Sequence, residues 1–119
     1  MEETHAQITS RDVGNGIVIS LLTPKLLEEA VIAELEELLM QAIKQANVPN
    51  IVLDFEKVDF LSSAVLRVLI KINVAIRERK GRLRLCSVKP KILEVFKITQ
   101  LNKIFDIRQN VDAAVASLK

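Results

Sequence analysis

Two adjacent hydroxyls, Ser62 and Ser63, stand directly ahead of the apolar run Ala64, Val65, Leu66, Val68, Leu69 and Ile72. A serine in that place marks a helix start, because its oxygen can accept a hydrogen bond from an unpaired N–H of the first turn. The same place suits a phosphate. Phosphorylation would set nearly two negative charges at the positive end of the helix dipole, changing the surface without unfolding the chain. From the residues alone the pair reads either as a helix cap or as a modification site.

No other group of residues carries a chemistry as well placed. His5 is the only histidine and falls in a polar N-terminal stretch, a poor place for a positioned base. Cys86 has basic neighbours, Arg82, Arg84 and Lys89, but no histidine to pair with, and reads as a small apolar core residue. Metal ligands are not clustered, and Gly14, Gly16 and Gly81 lie in turns rather than in a phosphate-cradling loop. Asp54 and Asp59 flank a turn and are read as turn-capping carboxylates. The chain is expected to be a binding or switching module, not an enzyme, with no cofactor and no metal.

The elements that must position Ser62 and Ser63 are a strand and a helix. Ile51, Val52, Leu53 and Phe55 form an apolar run, broken only by Asp54, of the kind found in a strand covered on both faces. Upstream, Ile8–Val13 and Ile17–Leu22 read as strands joined at Gly14-Asn15-Gly16, where a tight turn needs positive φ. Thr23 and Pro24 read as the cap and first turn of a helix whose apolar stripe runs from Leu27 to Ala46. Downstream of the serines, Lys80-Gly81 stops the helix and 82–86 alternates as a strand. Pro90 opens a third helix, Ile104, Phe105 and Ile107 form a last strand, and 111–118 closes as a helix. The order is β-β-α-β-α-β-α-β-α: an α/β domain with a small mixed sheet and about four helices, spanning 8–119 after a flexible tail at 1–7.

At 119 residues this is one domain, 50% hydrophobic but only 3% aromatic, so its core is aliphatic and it offers no base-stacking platform. A net charge of +2 does not suggest direct nucleic-acid binding. The charges are unevenly spread, mostly acidic over 28–59 and mostly basic over 67–97. A single cysteine excludes an internal disulfide, and no apolar run approaches the roughly 18 residues of a membrane span. A cytoplasmic protein without membrane insertion is expected.

Two segments carry a resemblance. IVLDFEKVDFLSSAVLRVL is similar to the strand and V-x-F-[IL]-D-S-[ST]-G-L-G motif of STAS domains. KGRLRLCSVKPKILEVFKITQLNKIF matches that family's second block at Gly81, Leu83, Leu85, Val88, Pro90, Ile92, Val95, Phe96, Thr99, Leu101 and Phe105. The chain resembles in particular the stand-alone bacterial anti-sigma factor antagonists, over nearly its whole length. The resemblance implies a non-enzymatic domain that binds an anti-sigma factor, itself a serine kinase of histidine-kinase-like ATPase fold, and thereby frees a sigma factor for transcription. It also implies that the kinase phosphorylates the domain, abolishing binding, and that a phosphatase restores it.

The sequence departs from the family pattern at the motif. Aligned on Phe60, Leu61 and Leu66, the usual acceptor position falls on Ala64, the family Asp on Ser62, and the motif glycines on Val65 and Arg67. Ser63 and Ser62 are left as displaced acceptor candidates. The partner surface implied by the resemblance comprises Asp59, Phe60, Leu61, Ser62, Ser63, Ala64, Val65, Arg67 and Lys71, together with Thr23, Pro24 and Lys25. Two other readings come with the family. One is a STAS subunit bracing a membrane-transport ATPase through the helix at 64–76; the other is a small-molecule sensor with an anion site at Arg82, Arg84, Lys89 and Lys91.

Overall fold

The structure is a computed structural model that describes residues 5–118. Five strands form the main sheet: β1 (Ile8–Asp12), β2 (Ile17–Leu21), β4 (Asn50–Asp54), β6 (Arg82–Cys86) and β7 (Asp106–Arg108), in spatial order β1-β2-β4-β6-β7. β1 and β2 are an antiparallel hairpin, and the remaining neighbours are parallel. The expected element order therefore holds, with two additions. A pair of two-residue strands, β3 (Lys25–Leu26) and β5 (Phe60–Leu61), forms a separate parallel sheet, and a 3-10 turn spans Leu101–Lys103.

Four helices cover the sheet unequally: α1 (Glu29–Gln45), α2 (Ser63–Glu78), α3 (Pro90–Ile98) and α4 (Val111–Ala116). Ile51, Leu53, Leu83 and Leu85 join the large core with residues of α1, α2 and α3, whereas Val52, Val18 and Cys86 meet Ala114 and Leu118 on the other face. This explains why β4 is apolar at successive positions rather than alternating, since each face is covered. Each aliphatic side chain so buried contributes about 1.5–3 kcal/mol. Among the described residues, no helix is long and apolar enough to cross a membrane.

Helix ends account for several sequence signals. Gly14 takes φ 89° in the hairpin turn, as the Gly-Asn-Gly stretch requires. α2 ends in a Schellman arrangement, in which Gly81 N–H donates to the Ile76 carbonyl and Lys80 N–H to that of Arg77. The left-handed residue there is Lys80, at φ 62°, and not the glycine. Gly81 is needed for a different reason, because a Cβ on it would lie 2.2 Å from the Pro49 carbonyl oxygen. Just before this turn, the Arg79 guanidinium donates to the carbonyls of Ile43, Ala46 and Asn47, satisfying the end of α1 and tying the two helices together.

The expected helix start at Thr23-Pro24 is corrected. α1 begins at Glu29, and Leu27, read as part of its apolar stripe, is exposed. Thr23 Oγ1 is committed elsewhere: it accepts the Gln7 N–H at 2.9 Å and donates to the His5 carbonyl. Lys25 and Leu26 are drawn into strand pairing with Phe60 and Leu61, which an extended backbone permits and a helix does not. Of the stretch expected to be a tail, residues 1–4 lie outside the described residues; Ala6 is buried, and His5 Nδ1 lies 3.1 Å from Glu34.

Candidate partner-binding site

The small β3–β5 sheet builds the site. β4 ends at Asp54, whose carboxylate accepts the Glu56 N–H at 3.0 Å and turns the chain, as expected for a turn-capping Asp. Phe55 and Val58 are fully buried and anchor the turn. The chain then runs beside 24–26: the Pro24 carbonyl accepts the N–H groups of Asp59 and Phe60, and the Leu26 carbonyl accepts that of Ser62 at 3.0 Å. Two segments expected at one surface, 23–25 and 59–65, are thus held together by backbone hydrogen bonds.

Not all of the expected residues present side chains there. Phe60 (43% exposed), Asp59, Ser63, Arg67, Lys71, Pro24 and Lys25 are exposed, and Leu61 and Ala64 are half-buried. Val65 is fully buried in the core, and Thr23 is buried with its hydroxyl occupied, so neither offers a side chain to a partner. Val65 shows why the motif glycine position tolerates valine here: it adds to the core rather than to the surface.

Ser62 and Ser63 are sharply different. Ser62 is the N-cap residue of α2 and Ser63 its first helical residue, yet Ser62 Oγ makes no capping bond. Among the described residues, it is the one buried side-chain oxygen or nitrogen without a hydrogen-bond partner. Ser63 is exposed.

The basic residues divide between two places. Lys89 forms an ion pair with Asp59, and Lys91 Nζ lies 5.2 Å from the centroid of the Phe60 ring. An exposed cation–π contact contributes about 0.5–1 kcal/mol. Arg82 and Arg84 sit at the start and middle of β6, away from Lys89 and Lys91, so the four do not form one anion site. Lys89 and Lys91 border the motif, which sequence reasoning missed. The available signal was topological: in a parallel sheet, the loops following β4 and β6 emerge at the same edge.

Beside the motif, α1 and α2 enclose a groove of about 320 Å³ floored by Ile32, Ala33, Ala64 and Val68. Glu36 and Lys71 bridge it at 3.5 Å. This pair is exposed, so it fixes the rim rather than adding much stability.

A family model described as STAS domain matches residues 16–114. BtrV of Bordetella bronchiseptica, which carries the name anti-sigma factor antagonist, is 39% identical over 70 residues, a match covering 59% of this chain and 60% of that protein. An anti-sigma-factor antagonist (STAS) domain protein from Planctomyces limnophilus has the same fold, with a TM-score of 0.82 at 21% identity over 99% of this chain and 100% of the other. The Bacillus cell fate determinant SpoIIAA, in its phosphorylated form, aligns with a TM-score of 0.70 at 19% identity, covering 95% of this chain and all of its own. The family model spans most of the sequence, and the described residues fold into the same mixed sheet with helices: the chain belongs to the STAS domain family.

Proposed function

We propose that the chain is a non-enzymatic anti-sigma factor antagonist, which binds an anti-sigma factor and so releases a sigma factor for transcription. The observation that carries this reading is the joining of two distant segments, through β3 and β5, into one exposed surface of Pro24, Lys25, Asp59, Phe60, Ser63, Arg67 and Lys71. The name of the Bordetella relative supports it. The partner we infer is an anti-sigma factor of the serine-kinase type with a histidine-kinase-like ATPase fold, opposed by a phosphatase.

With Ala64 at the usual acceptor position, Ser63 is the hydroxyl we assign to modification. It is exposed, whereas Ser62 Oγ is enclosed. A phosphate on Ser63 would offset the positive charge of a surface that carries Lys25, Arg67 and Lys71 and would have to be desolvated on binding, which weakens association. The test is to incubate the purified chain with the captured partner and ATP and to map phosphate by mass spectrometry. Phosphate on Ser63, absent from Ser63→Ala, supports the assignment; an unmodified chain in the presence of active kinase overturns it.

A further inference from the structure

At the opposite end of the sheet from the motif, β7 pairs only with Arg84–Cys86, so the Arg82–Leu83 end of β6 has no strand beside it on that side. A groove of about 370 Å³ occupies the gap, between β6, the last turns of α2 and the 3-10 turn. Three arginines line it, Arg77, Arg82 and Arg84, with one carboxylate, Asp106, and the Asn73 side-chain amide as a further donor.

Their charges are not equally balanced. Arg84 is held by Asp106 at 3.6 Å and by Ser117 Oγ, and Asp106 is also bound by Arg108. Among the described residues, Arg77 and Arg82 have no carboxylate partner and no hydrogen bond from their guanidinium groups. Arg77 sits in the last turn of α2, where the helix dipole favours a cation; Arg82 begins a strand and has no such reason to be there. Arg77 and Arg82 thus bring two guanidinium groups without a carboxylate of their own to one polar groove, and a tetrahedral oxyanion matches the paired N–H geometry of such groups.

We propose that this groove binds a phosphate-type oxyanion, gripped by Arg77 and Arg82 with Asn73 as an additional donor. Ile104, about half exposed and lining the groove, gives an apolar flank for whatever carries the phosphate. The phosphate could belong to a soluble compound or to a lipid headgroup, and the two are separable by experiment. The site lies away from the partner surface and does not depend on that reading.

The test uses the full chain, labelled with 15N and titrated with inorganic phosphate against chloride at matched ionic strength. Saturable shifts are expected at Asn73, Gly81 and Arg82, with binding weakened about tenfold in Arg77→Gln and in Arg82→Gln and unchanged in Lys97→Gln. Both arginines are exposed, so unchanged melting temperatures establish that the variants remain folded. A second arm measures co-sedimentation with phosphatidylcholine vesicles with and without phosphatidic acid. Arg82-dependent binding to the acidic vesicles assigns the lipid source, and its absence alongside phosphate binding assigns a soluble one. The proposal is overturned if phosphate gives no saturable shift, or if both Gln variants bind it as wild type does.

Discussion

The backbone N–H of Ser62 is donated to the carbonyl of Leu26, 36 residues earlier in the chain, at 3.0 Å. This bond fixes where α2 begins relative to the β2–α1 connection. It also leaves the Ser62 side chain beneath the surface, so that the next residue, Ser63, is the first hydroxyl in contact with solvent.

Ser62→Ala should be neutral or slightly stabilising, because the hydroxyl removed is buried and makes no capping bond. Replacing a working serine cap costs about 0.5–2 kcal/mol. Asn110 at the head of α4 is the control: its Oδ1 accepts the Ala113 N–H at 2.9 Å, and Asn110→Ala should lose about 1 kcal/mol. Urea unfolding of the two variants checks this. A loss at Ser62 as large as that at Asn110 would show that the Ser62 hydroxyl caps α2 in solution.

Cys86 should behave as an inert thiol. It is fully buried under α4, and burial pushes its pKa up to about 11, with a hydrogen bond to Ser87 working the other way and the Asp54 charge adding to the rise. At pH 8 almost none of it is thiolate, and reagent access requires opening. Ellman's reagent should label it only at the rate of unfolding and quickly in urea. Stoichiometric labelling within seconds of mixing, in the absence of denaturant, would contradict the packing of α4.

Asp106 links stability to acid. The hydrogen bond from Arg108 lowers its pKa below the ordinary 3.8, and the Arg84 charge adds to the effect while partial burial opposes it. A carboxyl whose pKa is depressed in the folded state contributes stability above its unfolded pKa and loses it as pH falls through the folded value. Asp106→Asn should therefore be less stable than wild type at pH 7, with the gap closing as pH falls below 3.8 and through the lowered folded-state pKa. Because the carboxylate is partly exposed, salt should shrink the gap at neutral pH. Equal stabilities at pH 7 would mean that the cluster contributes nothing.

Much of the fold was legible because its signals are local. The apolar run at 51–55, the Gly-Asn-Gly turn and the alternation over 82–86 each mark a strand, and Pro90 marks the start of a helix. What was not legible depends on pairing across the chain. Lys25-Leu26 and Phe60-Leu61 are too short to have a period, and only their mutual hydrogen bonds make them strands. The same pairing displaced the expected helix start from Pro24 to Glu29, overriding a local cap signal. At the site, the motif segment and its 24–25 neighbour were readable, but Lys89 and Lys91 were not, because their proximity to Asp59 and Phe60 follows from the parallel register of β4 and β6. Nor could sequence separate Ser62 from Ser63, since both fit a helix start and only burial distinguishes them.

The central claim is tested most directly by capturing the tagged chain with its partner from native cells and comparing wild type with Ser63→Asp. An acidic residue in the first turn of α2 is favoured by the helix dipole, by about 0.3–1 kcal/mol, so the variant should melt no lower than wild type. The account predicts that wild type retains an anti-sigma factor of the kinase type and that Ser63→Asp binds it at least about tenfold more weakly, or about 1.4 kcal/mol. Equal affinity of the two forms, or recovery of transport-ATPase subunits in place of an anti-sigma factor, would contradict it.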